Sequence, residues 1–285
     1  MSRGLGDVYK RQQPNLSATV REVEEELGIT VFMRNNRGIT VTAEGEEFLG
    51  YAKQVVEQYH LLENRYLNVE SKKKFSVSMQ HYSFAVKAFV QLAKEVGMDE
   101  YEFAVHETKT KEVIDNVKNL KSEIGALYLS DFNEKVLRKL FKECDIEFKE
   151  LFTCNTYVYL WKKHPLAGQK EITLDDLQEY PCLTFEQGVN NSFYYAEEMM
   201  STYEYKRVIK ADDRATMLNL MVGLNGFTLC SGIISEDLNG DDYAAIPLKE
   251  SEIMHIGYIK HKGTKLSKLG EIYIDALKNY ENKVL

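Results

Sequence analysis

The pattern of apolar and polar positions divides the chain into three textures. In Gln13–Thr42, Leu16, Val20, Val23 and Leu27 recur at steps of four, three and four, which puts an apolar stripe on one face of a short helix. Pro14 suits its first turn, because the missing N–H would be unpaired there and the ring already holds a helical φ. Gly28 stands where the helix should end. Ile29–Met33 and Gly38–Thr42 then alternate like two paired strands around an Arg34-Asn35-Asn36-Arg37-Gly38 turn with a cation on either side of its tip.

In Ala43–Glu70 the apolar residues Phe48, Ala52, Val55, Tyr59, Leu62, Tyr66 and Val69 repeat at steps of four and three, with charges between them. That spacing predicts a long helix with a narrow seam suited to a partner helix. Thr42 is placed to cap it, and Glu44, Glu46 and Glu47 sit where the helix dipole favours anions. Ser71-Lys72-Lys73-Lys74 breaks the pattern. From Phe75 onward strands and helices alternate, the texture of α/β lobes. A first series runs Phe75–Met79, Ser83–Val96, Tyr101–His106, Lys111–Lys121, Ile124–Leu129 and Glu134–Glu143. A second begins near Glu147 and includes a helix over Ser192–Ser201, with Met254–Lys260 and Leu266–Tyr280 closing the chain.

Composition narrows the function. The chain has 285 residues and a formal net charge of −8, so nucleic-acid contact has to come from a local patch and not from overall charge. Cys144, Cys154, Cys182 and Cys230 form no CxxC pair, and the six histidines show no metal-ligand spacing. No nucleophile elbow, HExxH, phosphate-cradling loop or dinucleotide fingerprint is present, which leaves no catalytic candidate, no metal and no cofactor. No apolar run approaches the ~18 residues of a membrane span, so a soluble, cytoplasmic protein is expected.

The ordered string Q-P-N-L-S-x-x-V-R-x-V-E-E-E-L-G-I-x-V-F-x-R-x-x-R-G-I-x-V-T-A-E-G resembles the second half of the winged helix-turn-helix of LysR-type transcriptional regulators. FSVSMQHYSFAVKAFVQL, HPLAG, LTFEQGVNNSFYY and RATMLNLMVGLNGFTLCSG resemble the effector-binding domains of the same family, closest to Gram-positive regulators of methionine and other sulfur amino-acid supply. The resemblance implies a periplasmic-binding-protein-like domain of two Rossmann-like lobes after a linker helix. The expected domains are a partial winged helix-turn-helix over 13–42, a dimerisation helix over 43–70 and an effector-binding domain over 75–285. Within the last, lobe one takes about 75–146 and 250–285, and lobe two about 147–249. Met1–Gln12 has two glycines, no helical periodicity and none of the resemblance. It reads as a disordered or artefactual start standing where two further helices would precede the recognition helix.

The resemblance also assigns roles. Gln13, Pro14, Asn15, Ser17, Arg21, Arg34 and Arg37 are the expected contacts to a double-stranded DNA operator. Phe48, Val55, Tyr59, Leu62 and Tyr66 are expected to pair two protomers, as a homodimer or tetramer, with RNA polymerase a further partner. Strand-to-helix loops suit small anionic ligands, and the candidates for a sulfur amino-acid metabolite are Ser78, Gln80, His81, Tyr82, Ser83, Thr108, Ser130, Thr184, Phe185 and Asn191. Read as residues alone, the Ser78–Ser83 turn serves equally as a helix cap, and Thr108 and Ser130 serve more readily as caps than as ligand contacts. The alternative function is a small-molecule-binding module that has lost DNA binding with its missing helices.

Overall fold

A computed structural model describes residues 17–35, 38–66, 72–97, 100–190, 192–234 and 236–280. The chain divides into two compact units, residues 1–70 and 71–285.

In the first unit, residues 17–27 form helix α1 and Gly28 leaves it with φ of +67°. Strands β1 (Phe32–Asn35) and β2 (Gly38–Val41) pair antiparallel. The helix is tied to this wing by Glu24, whose Oε1 accepts the backbone N–H of Val31 at 2.7 Å and of Phe32 at 2.9 Å. Helix α2 (Ala43–Tyr66) starts under a true side-chain cap, Thr42 Oγ1 accepting Gly45 N–H at 2.8 Å. Gly45 is required there, because a Cβ would stand 2.3 Å from the Val31 carbonyl oxygen. Along α2, Val55, Tyr59 and Leu62 are 68%, 58% and 57% exposed, so among the described residues much of the seam is uncovered. Phe48 is half-buried, while Val69 lies outside the described residues.

In the second unit a five-stranded sheet has the order β4-β3-β5-β12-β6. Strands β3 (Lys73–Met79), β4 (Tyr101–Glu107) and β5 (Ile124–Leu129) run parallel. Strand β12 (Met254–His261) returns from the end of the chain and pairs antiparallel with β5 and with β6 (Ile146–Cys154). All six residues of β5 are buried, since helices cover both faces. Ile124, Ala126 and Tyr128 join a core with α3 (Ser83–Val96) and α8 (Lys268–Lys278). Leu127 and Leu129 join another with α4 (Thr110–Lys118) and α5 (Glu134–Glu143). The period of two along one strand therefore sorts its side chains into separate cores.

The second lobe is smaller. Strand β7 (Tyr157–Trp161) lies between β10 (Thr228–Cys230) and β11 (Tyr243–Pro247), all antiparallel. Strands β8 (Cys182–Phe185) and β9 (Val208–Ala211) pair parallel, and α6 (Arg214–Leu224) and the short α7 (Glu236–Asn239) complete it. Thr156 pins the two chain crossings together: its N–H reaches Ser251 Oγ at 2.8 Å and its hydroxyl reaches Glu252 O at 2.9 Å.

Two expectations change. Strand β6 completes the first sheet, so the second lobe begins at Tyr157 and not near Glu147. The helix expected over Ser192–Ser201 is a 3-10 turn, Phe193–Tyr195, followed by irregular backbone. The carbonyls of Tyr195 and Ala196 accept hydrogen bonds from Thr110 Oγ1 (2.7 Å) and Tyr128 OH (3.1 Å) across the lobes, and a continuing helix would claim those acceptors.

Candidate functional site

The cleft is built where β3 ends and α3 begins. Gln80 leaves the strand fully buried, and its Nε2 donates to Thr110 Oγ1 at 2.6 Å. Its Oε1 accepts Tyr82 OH at 2.9 Å and Tyr128 N–H at 3.2 Å. Ser78 points the same way, bonded to Ser122 Oγ at 2.8 Å and to Asn116 Nδ2 at 2.9 Å. Both side chains are held within the first lobe. The turn then presents His81, Tyr82 and Ser83 to the cleft.

The opposing wall is the loop after β8. Glu197 Oε2 accepts both the backbone N–H and Nδ1 of His81, each at 2.8 Å, and Oε1 accepts Gln187 Nε2 at 3.0 Å. A carboxylate only accepts, so the imidazole carries its proton on Nδ1. The same imidazole stacks on Phe185 with ring centroids 3.7 Å apart. Gln187 Oε1 accepts Thr110 N–H at 3.1 Å, Lys109 pairs with Asp212 at 3.2 Å, and Arg214 pairs with Glu107. The two lobes are thus latched closed by polar contacts along the cleft. Glu198, next in sequence, accepts Phe185 N–H at 2.9 Å. Burial, and then the neighbouring Glu197 carboxylate, push its own carboxyl up to about 8, so near neutral pH it holds its proton.

A cavity of about 90 Å³ lies within this closed cleft. His81, Tyr82, Ser83, Glu197, Glu198 and Arg214 supply its polar surface, and Met217, Met221 and Met254 part of its apolar wall. Thr228 also lines it, 6% exposed, with a hydroxyl that has no hydrogen-bond partner.

Of the residues singled out from sequence, His81, Tyr82, Ser83 and Phe185 meet at this cavity. Thr108 lies at a separate polar depression and donates to Glu112. Ser130 is buried with its N–H on Asn133 Oδ1 at 2.8 Å, and Thr184 is half-buried in β8. Asn191 lies outside the described residues. Glu197, Glu198, Arg214 and Thr228 were not foreseen. The adjacent glutamates fell in a predicted helix, where nothing marks an acidic pair as buried.

On the first unit, Arg21 and Thr19 are exposed on α1 and Ser17 is half-buried. Gln13, Pro14, Asn15 and Arg37 lie outside the described residues, and Arg34 is placed only as a backbone position in β1.

Comparison with known proteins decides the family. The model described as the LysR substrate binding domain matches residues 100–281, and that of the bacterial regulatory helix-turn-helix protein, lysR family, matches residues 8–46. The chain belongs to the LysR family. It is a DNA-binding transcription regulator with an effector-binding domain, and the module without a DNA reader is not favoured. LysR regulators bind DNA and small-molecule effectors, and they oligomerise. The HTH-type transcriptional regulator CysL of Bacillus subtilis is 22% identical over 285 residues, spanning 96% of this LysR-type chain and 90% of that protein. The transcriptional dual regulator GltC, also of Bacillus subtilis, is 28% identical over 183 residues, 61% of this chain and 56% of that one. A full-length OxyR variant from Pseudomonas aeruginosa superposes with a TM-score of 0.66 at 16% identity, covering 93% of this chain and 85% of that one, which bears out the two-lobed fold. Among the described residues no helix is long and apolar enough to cross a membrane.

Proposed function

We propose that this LysR-type regulator is a cytoplasmic sensor whose effector occupies the cavity between the two lobes. The observation that carries the reading is the space of about 90 Å³ between the lobes, lined by polar groups of both. A sulfur amino-acid metabolite is the occupant this reading assigns. Met217, Met221 and Met254 offer it a soft, polarisable wall, and the wording of the effector domain is closest to that subgroup. Binding would shift the balance between closed and open lobes.

In this reading the exposed Val55, Tyr59 and Leu62 face pairs with a second copy, as a dimer or a tetramer, and RNA polymerase meets the assembled complex. Gln13, Asn15, Ser17 and Arg21 approach a major groove, and Arg34 and Arg37 the phosphates or an adjacent minor groove. A thermal-shift screen with methionine, homocysteine and O-acetylserine tests the effector site: a rise in midpoint that Met221→Trp abolishes supports it. A rise that survives filling of the cavity places the ligand elsewhere. Electrophoretic titration at two salt concentrations tests the DNA contacts. Arg21→Ala and Arg37→Ala should each weaken binding across sequences and lower the salt slope by about one; an unchanged slope removes that residue from the interface.

A further inference from the structure

The cleft reading leaves the ligand's charge open, and the cavity wall decides it. Its ionisable side chains include Glu197, Glu198, Arg214 and His81. The two cationic candidates are already engaged by carboxylates: Arg214 by Glu107, and His81 by Glu197 through both its ring and its backbone N–H. The His81 N–H at the turn into α3 is therefore filled from within the chain. Among the described residues no cation pairs with Glu198. It is 5% exposed, beside a second carboxylate, and accepts a backbone N–H. A cationic head set against Glu198 would compensate the buried pair of carboxyls once Glu198 ionises.

Resting on the assignment of this cavity as the effector site, we infer that the ligand presents a primary ammonium to Glu198. The remainder of the ligand is short and mostly apolar, facing Met217, Met221 and Met254.

The protonation of the wall agrees. The other titratable groups acting with Glu198 are Glu197 on the same loop, Tyr82 at the start of α3, Tyr128 on β5, Cys182 on β8 and Tyr205. Burial pushes Tyr82, Tyr128, Cys182 and Tyr205 up, so they stay neutral and bring no competing charge. In the empty cavity Glu198 keeps its proton at pH 7, and an ammonium set against it favours the ionised form. Binding of an amine then releases a proton from the Glu198 carboxyl to solvent.

The test uses the full chain and two probes that share a tail, n-hexylamine and hexanoate, each at ~10 mM, where a ligand with a Kd of ~1 mM fills about nine-tenths of its sites. The expected result is a raised melting midpoint with n-hexylamine and none with hexanoate. Titration calorimetry at pH 7 in two buffers of different ionisation heat should show close to one proton released per amine bound. Glu198→Gln, nearly the same shape, should fold, lose most of the shift and release no proton. Absence of a shift with n-hexylamine overturns the inference, as does amine binding without proton release. Stabilisation by hexanoate alone, abolished by Met221→Trp, overturns the head-group assignment and keeps the cleft as the ligand site. Stabilisation by the amine that survives both Glu198→Gln and Met221→Trp overturns the placement in the cavity itself.

Discussion

The first lobe meets the cleft with a strand end wired into its own interior, and the second meets it with a loop wired mainly across the gap. Ser78 and Gln80 spend their hydrogen bonds on Ser122, Asn116, Thr110, Tyr82 and Tyr128, all in the first lobe. Glu197, Gln187 and the carbonyls of Tyr195 and Ala196 instead meet His81, Thr110 and Tyr128 of the opposite lobe. The first wall is therefore shaped whether or not the lobes are closed, while much of the second is shaped by closure. A ligand that shifts the lobes acts on the second wall, which is where a sensor's moving part belongs.

The comparison breaks first at Gln80. Gln80→Leu strips partners from the Tyr82 hydroxyl and Tyr128 N–H inside a buried network. At about 1–3 kcal/mol for each orphaned buried group, a loss of roughly 3 kcal/mol or more is expected for the folded domain. Urea denaturation should show the midpoint fall for the whole domain in one transition. A change below about 0.5 kcal/mol would mean that the first wall is not self-supporting.

Glu197→Ala is expected to act differently, although it also removes a buried acceptor. It frees His81 and Gln187 to find water as the lobes part, so the loss on unfolding should stay under the roughly 3–5 kcal/mol of a broken pair that has no escape. Hydrogen exchange is the decisive readout: His81 and Thr110 amides should lose protection while β5, buried along its length, keeps it. Equal loss in β5 would show that the latch is part of the core and erase the distinction between the walls.

These two walls were not equally legible in the sequence. The period of two in Ile124–Leu129 and the stripe in Ser83–Val96 follow from burial against fixed neighbours, so strand and helix could be read locally. The same held for Gly28, whose positive φ ends α1, and for Thr42, which caps α2. The stretch 192–201 has apolar residues at helical spacing, yet its carbonyls are claimed by side chains some 70 to 85 positions earlier in the chain. No local pattern encodes a competitor at that distance. For the same reason the cavity residues of the β3–α3 turn were visible as a polar cluster, and Glu197, Glu198, Arg214 and Thr228 were not.

The pH dependence of stability sharpens the contrast at one residue. The Glu198 carboxyl is raised from the ordinary value of 4.5 to about 8 in the folded chain, first by burial and then by Glu197. Between those values the folded state holds a proton that the unfolded state has released. The contribution of Glu198 is therefore fully present below about pH 4.5 and is lost as pH rises toward 8, at up to about 1.4 kcal/mol per pH unit. Comparing the chain with Glu198→Gln by denaturation at pH 5, 6 and 7 isolates this slope. Parallel curves for the two proteins would show that the carboxyl is solvated and that the second wall is open in solution.

The smallest effect is expected at Thr228, and its sign carries the information. Thr228 stands in β10 at 6% exposure, with its hydroxyl oxygen unbonded. Valine has nearly the same volume and no polar atom, so in the empty protein Thr228→Val relieves a desolvated hydroxyl and should be neutral or stabilising by up to about 1 kcal/mol. A self-contained wall has no use for such a group, since an unsatisfied hydroxyl persists only at a cost. A wall completed by a ligand does, and there the same substitution should weaken binding of whichever metabolite the screen finds. The pair of measurements separates the cases. Stability gained with affinity lost makes Thr228 part of the recognition surface. Stability lost in the ligand-free protein makes it a structural hydroxyl of the second lobe, and the cavity then owes its polarity to the other residues that line it.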